Sequence, residues 1–251
     1  MHDPNTAPFL EPPILPVLAE TEDWVVVAKP SRLMVHRSEE RVPDKYFALQ
    51  LVRDQVGCRV HPVHRLDRGT SGTLLFAKNP EWARRLQAAL SAPDAGKTYL
   101  ALVRGAFKQV GSVEIQQPMK DDRGVLREAS STVRALGVST DPRCSLLEVR
   151  PRTGRYHQVR RHVRDLTHPV IGDSVHGDTK FNRLFRDAWG LDRLGLHALR
   201  LDLPLDNGER ISAVSPLPPE LASLFRRMPW WEAAVTLEPA LALQWPLERA
   251  P

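Results

Sequence analysis

Cysteine is nearly absent: Cys58 and Cys144 are the only two in 251 residues. Two thiols cannot build a disulfide framework or a four-thiolate zinc site. No apolar run approaches the roughly 18 residues that a membrane helix requires. The opening MHDPNTAPF carries an early Asp and lacks a basic-then-apolar secretory pattern. The expectation is a cytoplasmic protein with no membrane partner. Lysine is also scarce, supplying only seven of 35 cations and leaving 28 arginines. Several chemical signatures are missing altogether. There is no zincin H-E-x-x-H, no phosphate loop, no G-x-G-x-x-G fingerprint and no G-x-S-x-G elbow. His61/His64 and His157/His162 have no cysteines at ligand spacing, so no metal is expected.

What is present is an ordinary globular composition, with 42% apolar and 26% charged residues and a net charge of +5. That suffices for one large domain or two small lobes and is too apolar for a disordered chain. Guanidinium binds phosphate bidentately and stacks on bases, which ammonium does not. The arginine excess therefore suits nucleic acid, although a G- and C-rich genome produces the same bias. The positions of the arginines decide between the two.

Residues 1–16 hold five prolines and form an extended entry segment, and 17–230 read as the main domain. The tail 231–251, entered through Trp230, is rich in Trp and Pro and shows no clear period. Short buried strands are expected at Trp24–Ala28, Thr73–Ala77, Thr98–Val103 and Leu146–Val149, with alternating strands at 196–203 and 210–214. Helices are expected over 44–56, from Asn79-Pro80-Glu81 to about Leu90, over 156–166 and over 219–228. Residues 111–137 look polar and breaker-rich, fit for loops or short strands. Many strands without strict βαβ alternation predict an α+β fold with a mixed, mostly antiparallel central sheet flanked by helices.

Three segments carry candidate chemistry. In HPVHRLDRGTSGTLLFAK (61–78), Asp67 lies between Arg65 and Arg68. Neighbouring guanidinium favours a charged carboxylate, available as nucleophile or base. Gly69 and Gly72 would let a ligand approach the backbone. By charge pattern alone the solvated surface loop is the better reading of this segment. In RPRTGRYHQVRRHVRD (150–165), six arginines and two histidines face one acid, Asp165. On a helix, Arg160, Arg161 and Arg164 would form a cationic face opposite Val159, Val163 and Leu166. So one-signed a run favours a phosphate-binding surface. In HPVIGDSVHG (168–177), Gly-Asp-Ser could suggest a hydrolase serine at Ser174, but without the elbow a tight turn near a site is the better reading.

In this order, the segments resemble the RluA-type family of RNA pseudouridine synthases over roughly residues 17–230. His64-Arg65-Leu66-Asp67-Arg68 with Thr70-Ser71-Gly72 is similar to the family's catalytic string. Lys29-Pro30 with Val35-His36, Lys97-Thr98-Tyr99-Leu100-Ala101, and Thr153-Gly154-Arg155 with His157-Gln158-Val159-Arg160 are similar to its other motifs, as are His168-Pro169 and Gly172-Asp173. Val35-His36-Arg37-Ser38, Arg160-Arg161-His162 and Gly172–Asp178 resemble a tRNA-modifying branch. The resemblance implies a redox-neutral isomerase without metal or organic cofactor. It makes Asp67 the nucleophile, Tyr99 the residue stacking on a flipped uracil, and Arg155 the partner of Asp67. Arg65 would fill the space the base vacates. His64, Arg68, Arg150, Arg152, His157, Arg160, Arg161 and Arg164 would line an RNA-binding cleft. It implies RNA as partner, with tRNA favoured over ribosomal RNA, and a monomer is expected. A non-catalytic RNA-binding protein is the alternative from another class, and it has no use for Asp67.

Overall fold

The computed structural model describes residues 9–37, 44–121 and 123–244. Ser38 and parts of both terminal segments, 1–8 and 245–251, lie outside the described residues. In chain order the strands are β1 (Val17–Glu20), β2 (Trp24–Lys29), β3 (His61–Pro62), β4 (Ser71–Ala77), β5 (Gly96–Arg104), β6 (Ser112–Gln116), β7 (Met119–Lys120), β8 (Leu126–Arg127), β9 (Ser130–Thr140), β10 (Arg143–Pro151), β11 (Leu196–Pro204) and β12 (Arg210–Val214). The helices are α1 (Ala48–Val56), α2 (Pro80–Leu90), α3 (Gln158–Asp165), α4 (Thr179–Trp189), α5 (Pro219–Arg226) and α6 (Trp231–Leu237). The α+β class holds.

The chain forms two compact units. The first combines the residues up to Ala95 with Ala198–Ser215. Here β1 pairs β2, β2 pairs β4 and β11 pairs β12, all antiparallel, and β3 adds to β4. All seven β4 residues are buried, which explains why Leu74–Ala77 is continuously apolar instead of alternating. Helix α2 begins as its sequence requires: the Asn79 side chain accepts from Trp82 N at 2.9 Å, followed by Pro80 and Glu81. Its Leu86 and Ala89 close over Val26, Leu75, Leu201 and Ile211.

The second unit comprises Gly96–His197 and Pro216 onward. Its strands run in the order β5-β10-β9-β6, with the β10–β5, β10–β9 and β6–β9 pairs antiparallel. Helix α3 lays Val159 and Val163 on Ala101, Val103, Leu147 and Val149, with Leu166 at the margin. That is the face expected from its period, and burying each valine contributes about 1.5–3 kcal/mol.

One expectation fails here. Residues 111–137 do not form loops and short strands alone, because the 11-residue strand β9 begins inside them. The tail is folded in part: α6 and a turn of 3-10 helix at Pro239–Ala242 belong to the second unit. Trp230 is buried and packs edge-on against Phe225, with ring centroids 5.6 Å apart. A side chain at Gly137 in β9 would lie 2.5 Å from the Trp230 ring, so this position accepts only glycine.

Candidate active site

In the first unit, Asp67 sits in the connection between β3 and β4. The connection turns tightly, with Thr70 N donating to the Asp67 carbonyl at 3.0 Å. It is fastened from beneath by Lys29, whose ammonium is fully buried. Lys29 Nζ donates to the carbonyls of Pro30 (2.8 Å), Leu33 (2.7 Å) and Arg68 (3.3 Å). Ser31 Oγ donates to the Gly69 carbonyl at 2.8 Å. The Lys-Pro motif therefore acts as a clamp on the Asp67 loop. Arg65 is exposed and Asp67 half-buried.

Two residues in this loop depart from their expected roles. Arg68, expected on RNA, forms an ion pair with buried Asp44 and donates from Nε to the Arg32 carbonyl at 3.3 Å. Its guanidinium secures the loop. His64 Nε2 accepts the Leu75 N–H at 3.0 Å, so one side of this ring is also structural. Gly72 likewise serves the fold and not a ligand. At φ +120° its missing Cβ would stand 2.1 Å from the Ala198 carbonyl oxygen in β11.

In the second unit, register places Tyr99 on β5 opposite Val149 on β10. Tyr99 packs on the core that α3 covers. One residue beyond Val149 the arginine segment begins, so Tyr99 and the cations share one end of this sheet. Lys97, two residues before Tyr99 and on the same strand face, has its pKa lowered by burial. Its sequence assigns this lysine no role, although its alternation with Tyr99 is visible there.

The arginine segment is less uniform than its sequence. Arg160 is buried and makes a bidentate pair with buried Asp173, Nε–Oδ2 and Nη2–Oδ1 both at 2.7 Å. It is not on a cationic outer face, because the i,i+4 relation to Arg164 says nothing of an acid arriving from the 168–177 turn. Burial works to raise the Asp173 pKa. The Arg160 hydrogen bonds and charge, with the N–H groups of His176 and Val175, bring it below the ordinary carboxylate value. The Gly-Asp-Ser turn is thus an anchor for α3. Glu148, also buried, receives Arg134 bidentately and Arg150 at 2.9 Å. Arg150, Arg152, Arg155 and Arg164 remain exposed, and Arg161 is half-buried. Buried Gln158 belongs to the motif, where its sequence suggests no function. Its Oε1 accepts Arg155 N at 3.0 Å and the Thr153 hydroxyl at 2.7 Å, while Nε2 donates to the Ser130 carbonyl at 2.9 Å. It ties the 153–155 turn to β9. Arg155 Nε donates to the Glu128 carbonyl at 2.9 Å.

Among the described residues no group of three or more His, Cys, Asp or Glu side chains could hold a metal ion, and no helix is long and apolar enough to cross a membrane. The family described as RNA pseudouridylate synthase matches residues 23–165, a span that includes Asp67, Tyr99 and Arg155.

The chain belongs to that family.

A tRNA pseudouridine synthase C from Vibrio parahaemolyticus is 36% identical over 246 residues, covering 90% of this chain and all of the relative. Another protein of that name, from Haemophilus ducreyi, is 34% identical and covers 86% of this chain and 96% of its own length. The solved structure of human RNA Pseudouridylate Synthase Domain Containing 1 superposes with a TM-score of 0.65 at 25% identity, covering 82% of this chain and 86% of the other. Human RNA Pseudouridylate Synthase Domain Containing 4 has the same fold, with a TM-score of 0.66 at 22% identity over 84% of this chain and 92% of that one. As a pseudouridine synthase, the protein is an isomerase that converts uridine in RNA to pseudouridine.

Proposed function

We propose that the substrate is a uridine of tRNA and that Asp67 is the nucleophile. The observation that carries this reading is the Asp67 loop. Buried Lys29 and Ser31 hold its backbone at the carbonyls of Arg68 and Gly69, and the Arg68 side chain is committed to Asp44. A half-buried carboxylate on so rigid a turn is preorganised, which an RNA-binding surface alone does not require. In the reaction the bond from N1 to the ribose carbon breaks. The same carbon then bonds C5, the C5 hydrogen leaves as a proton, and N1 gains one. No electron is supplied or removed, so Asp67 chemistry and proton transfer suffice. Exposed Arg65 takes the place of the base as it leaves the stack, because a paired base is out of reach of the carboxylate. Tyr99 stacks on the extruded uracil. The exposed Arg150, Arg152 and Arg164, with Arg161, bind phosphates.

The tRNA assignment rests on relatives named for tRNA that align along nearly their whole length. The test is to map pseudouridines in unmodified tRNA and ribosomal RNA after incubation with the protein and with Asp67→Ala. We expect a new pseudouridine in tRNA with the parent protein. With Asp67→Ala we expect none, at an RNA affinity that holds or rises as a negative charge is removed. Product in ribosomal RNA alone would overturn the substrate reading. Product from Asp67→Ala at the parent rate would overturn the nucleophile.

A further inference from the structure

Tyr156 is the one exposed aromatic in the arginine segment, and its setting is unusual. It is 57% exposed, yet one face of its ring is stacked on His157 with centroids 3.7 Å apart and planes inclined by 20°. His157 is held with φ +54° and ψ 27°, the left-handed region that a non-glycine residue enters at a cost of about 1–2 kcal/mol. Such strain persists where surrounding structure enforces it. Here the enforcing neighbour is His176: His157 Nδ1 lies 3.0 Å from His176 Nε2, and the rings meet edge to face at 5.1 Å. His176 is fixed in turn, since its backbone N–H donates to Asp173 Oδ1 at 2.9 Å. Three rings are thus built outward from the buried Arg160–Asp173 pair, ending in the exposed Tyr156.

A hydrogen bond between two imidazoles needs an acceptor nitrogen, so at least one ring is neutral. Burial lowers the His176 pKa, as do the charges of Arg160, Arg164 and Arg161 against the opposing pull of Asp173. The array ends in an exposed aromatic face at Tyr156. Positive charge lies beside it on exposed Arg155, next in the chain, and on exposed Arg164, which places Nη1 3.5 Å from His176 Nδ1 while pairing with Asp165 at 2.6 Å. A π-face flanked by guanidinium groups suits a stacked nucleobase with its backbone phosphates alongside.

We propose that Tyr156, braced by His157 and His176, is a stacking platform for an unpaired nucleobase of the RNA, separate from the uracil that reacts. The inference rests on the RNA-modifying reading above and adds to it a residue that selects RNA with an unstacked base near the target.

The test compares the parent, Tyr156→Ala and Tyr156→Phe for binding to an in-vitro-transcribed tRNA pool over a range of salt, and for turnover. Removing one base stack weakens binding about 5- to 150-fold. That weakening is expected for Tyr156→Ala, with the slope of log affinity against log salt unchanged because every phosphate keeps its cation. KM should rise while kcat at saturating RNA is retained, and Tyr156→Phe should restore parent affinity. Parent-like binding by Tyr156→Ala, or weaker binding with a shallower salt slope, would overturn the platform. The two readings fail separately. A parent protein that binds tRNA through Tyr156 but forms no pseudouridine removes the tRNA assignment and leaves the platform standing. Normal turnover with a KM indifferent to Tyr156 does the reverse.

Discussion

Arg160 shows how a residue's neighbours in sequence can mislead about its role. It stands among five other arginines, a setting that points to phosphate, yet both arms of its fork are occupied by Asp173. Removing one partner of a buried ion pair strands the other charge, at a cost of about 3–5 kcal/mol. Asp173→Asn should therefore destabilise by about that amount in urea unfolding at neutral pH. The sign of the pH dependence follows from the lowered Asp173 pKa. The pair stabilises above the carboxylate's unfolded value near 4 and weakens as pH falls through the folded one. The gap between parent and Asp173→Asn should be flat from about pH 6 upward and shrink in acid below about pH 4. A gap that stays constant into acid would contradict this account.

At the scale of the element, α3 and its entry loop combine scaffold and surface. Val159, Val163, Gln158 and Arg160 face inward, while Arg152, Arg155 and Arg164 face water. Replacing Arg152 or Arg164 with Ala should lower the salt slope of RNA binding by about 0.7–1 for each phosphate left without its cation. Arg160→Ala should lower the unfolding midpoint and leave the slope where it was, a division that titrations at several salt concentrations would reveal. The inward face is legible in the sequence because valines repeat at helical spacing. The acid that draws Arg160 inward is not, since Asp173 comes from a turn beyond the helix. Strand β9 is hidden for a related reason. Its buried positions include Ser131, Gly137 and Ser139, so its inner face does not look apolar. Helix α4 escapes the sequence reading despite usable signals, with Asp178 accepting from Phe181 N at 3.0 Å and Gly190 closing the C-terminus.

Across the whole molecule, the α+β class and the family are readable, because buried strands are largely apolar and the string His64–Arg68 with Thr70–Gly72 is specific. The folded tail is not, since α6 has seven residues and its anchor, Trp230, works through a glycine 93 positions earlier. That anchor also governs thiol chemistry. Burial pushes the Cys144 thiol up to about 11, against a smaller opposing influence of Trp230, whereas Cys58 is exposed. A maleimide at neutral pH should label the native protein once, at Cys58. Trp230→Ala should cost about 3–5 kcal/mol of stability and make Cys144 the second labelled site. Two labels on the parent protein would show that the tail does not seal this strand.

The fit of Gly72 against Ala198 has a consequence for the order of events at the ribosome. Strand β4 carries the Asp67 loop, but the backbone that closes on it is synthesised about 100 residues after Ala95. At about 5–20 residues per second, that is a wait of about 5–20 s. Throughout it β4, whose Leu74–Ala77 run is apolar, has one flank uncovered, while the residues that build the second unit are still being added. The Asp67 loop is thus among the first parts made and among the last completed, and a translational pause shortly before residue 198 would prolong its exposure to aggregation.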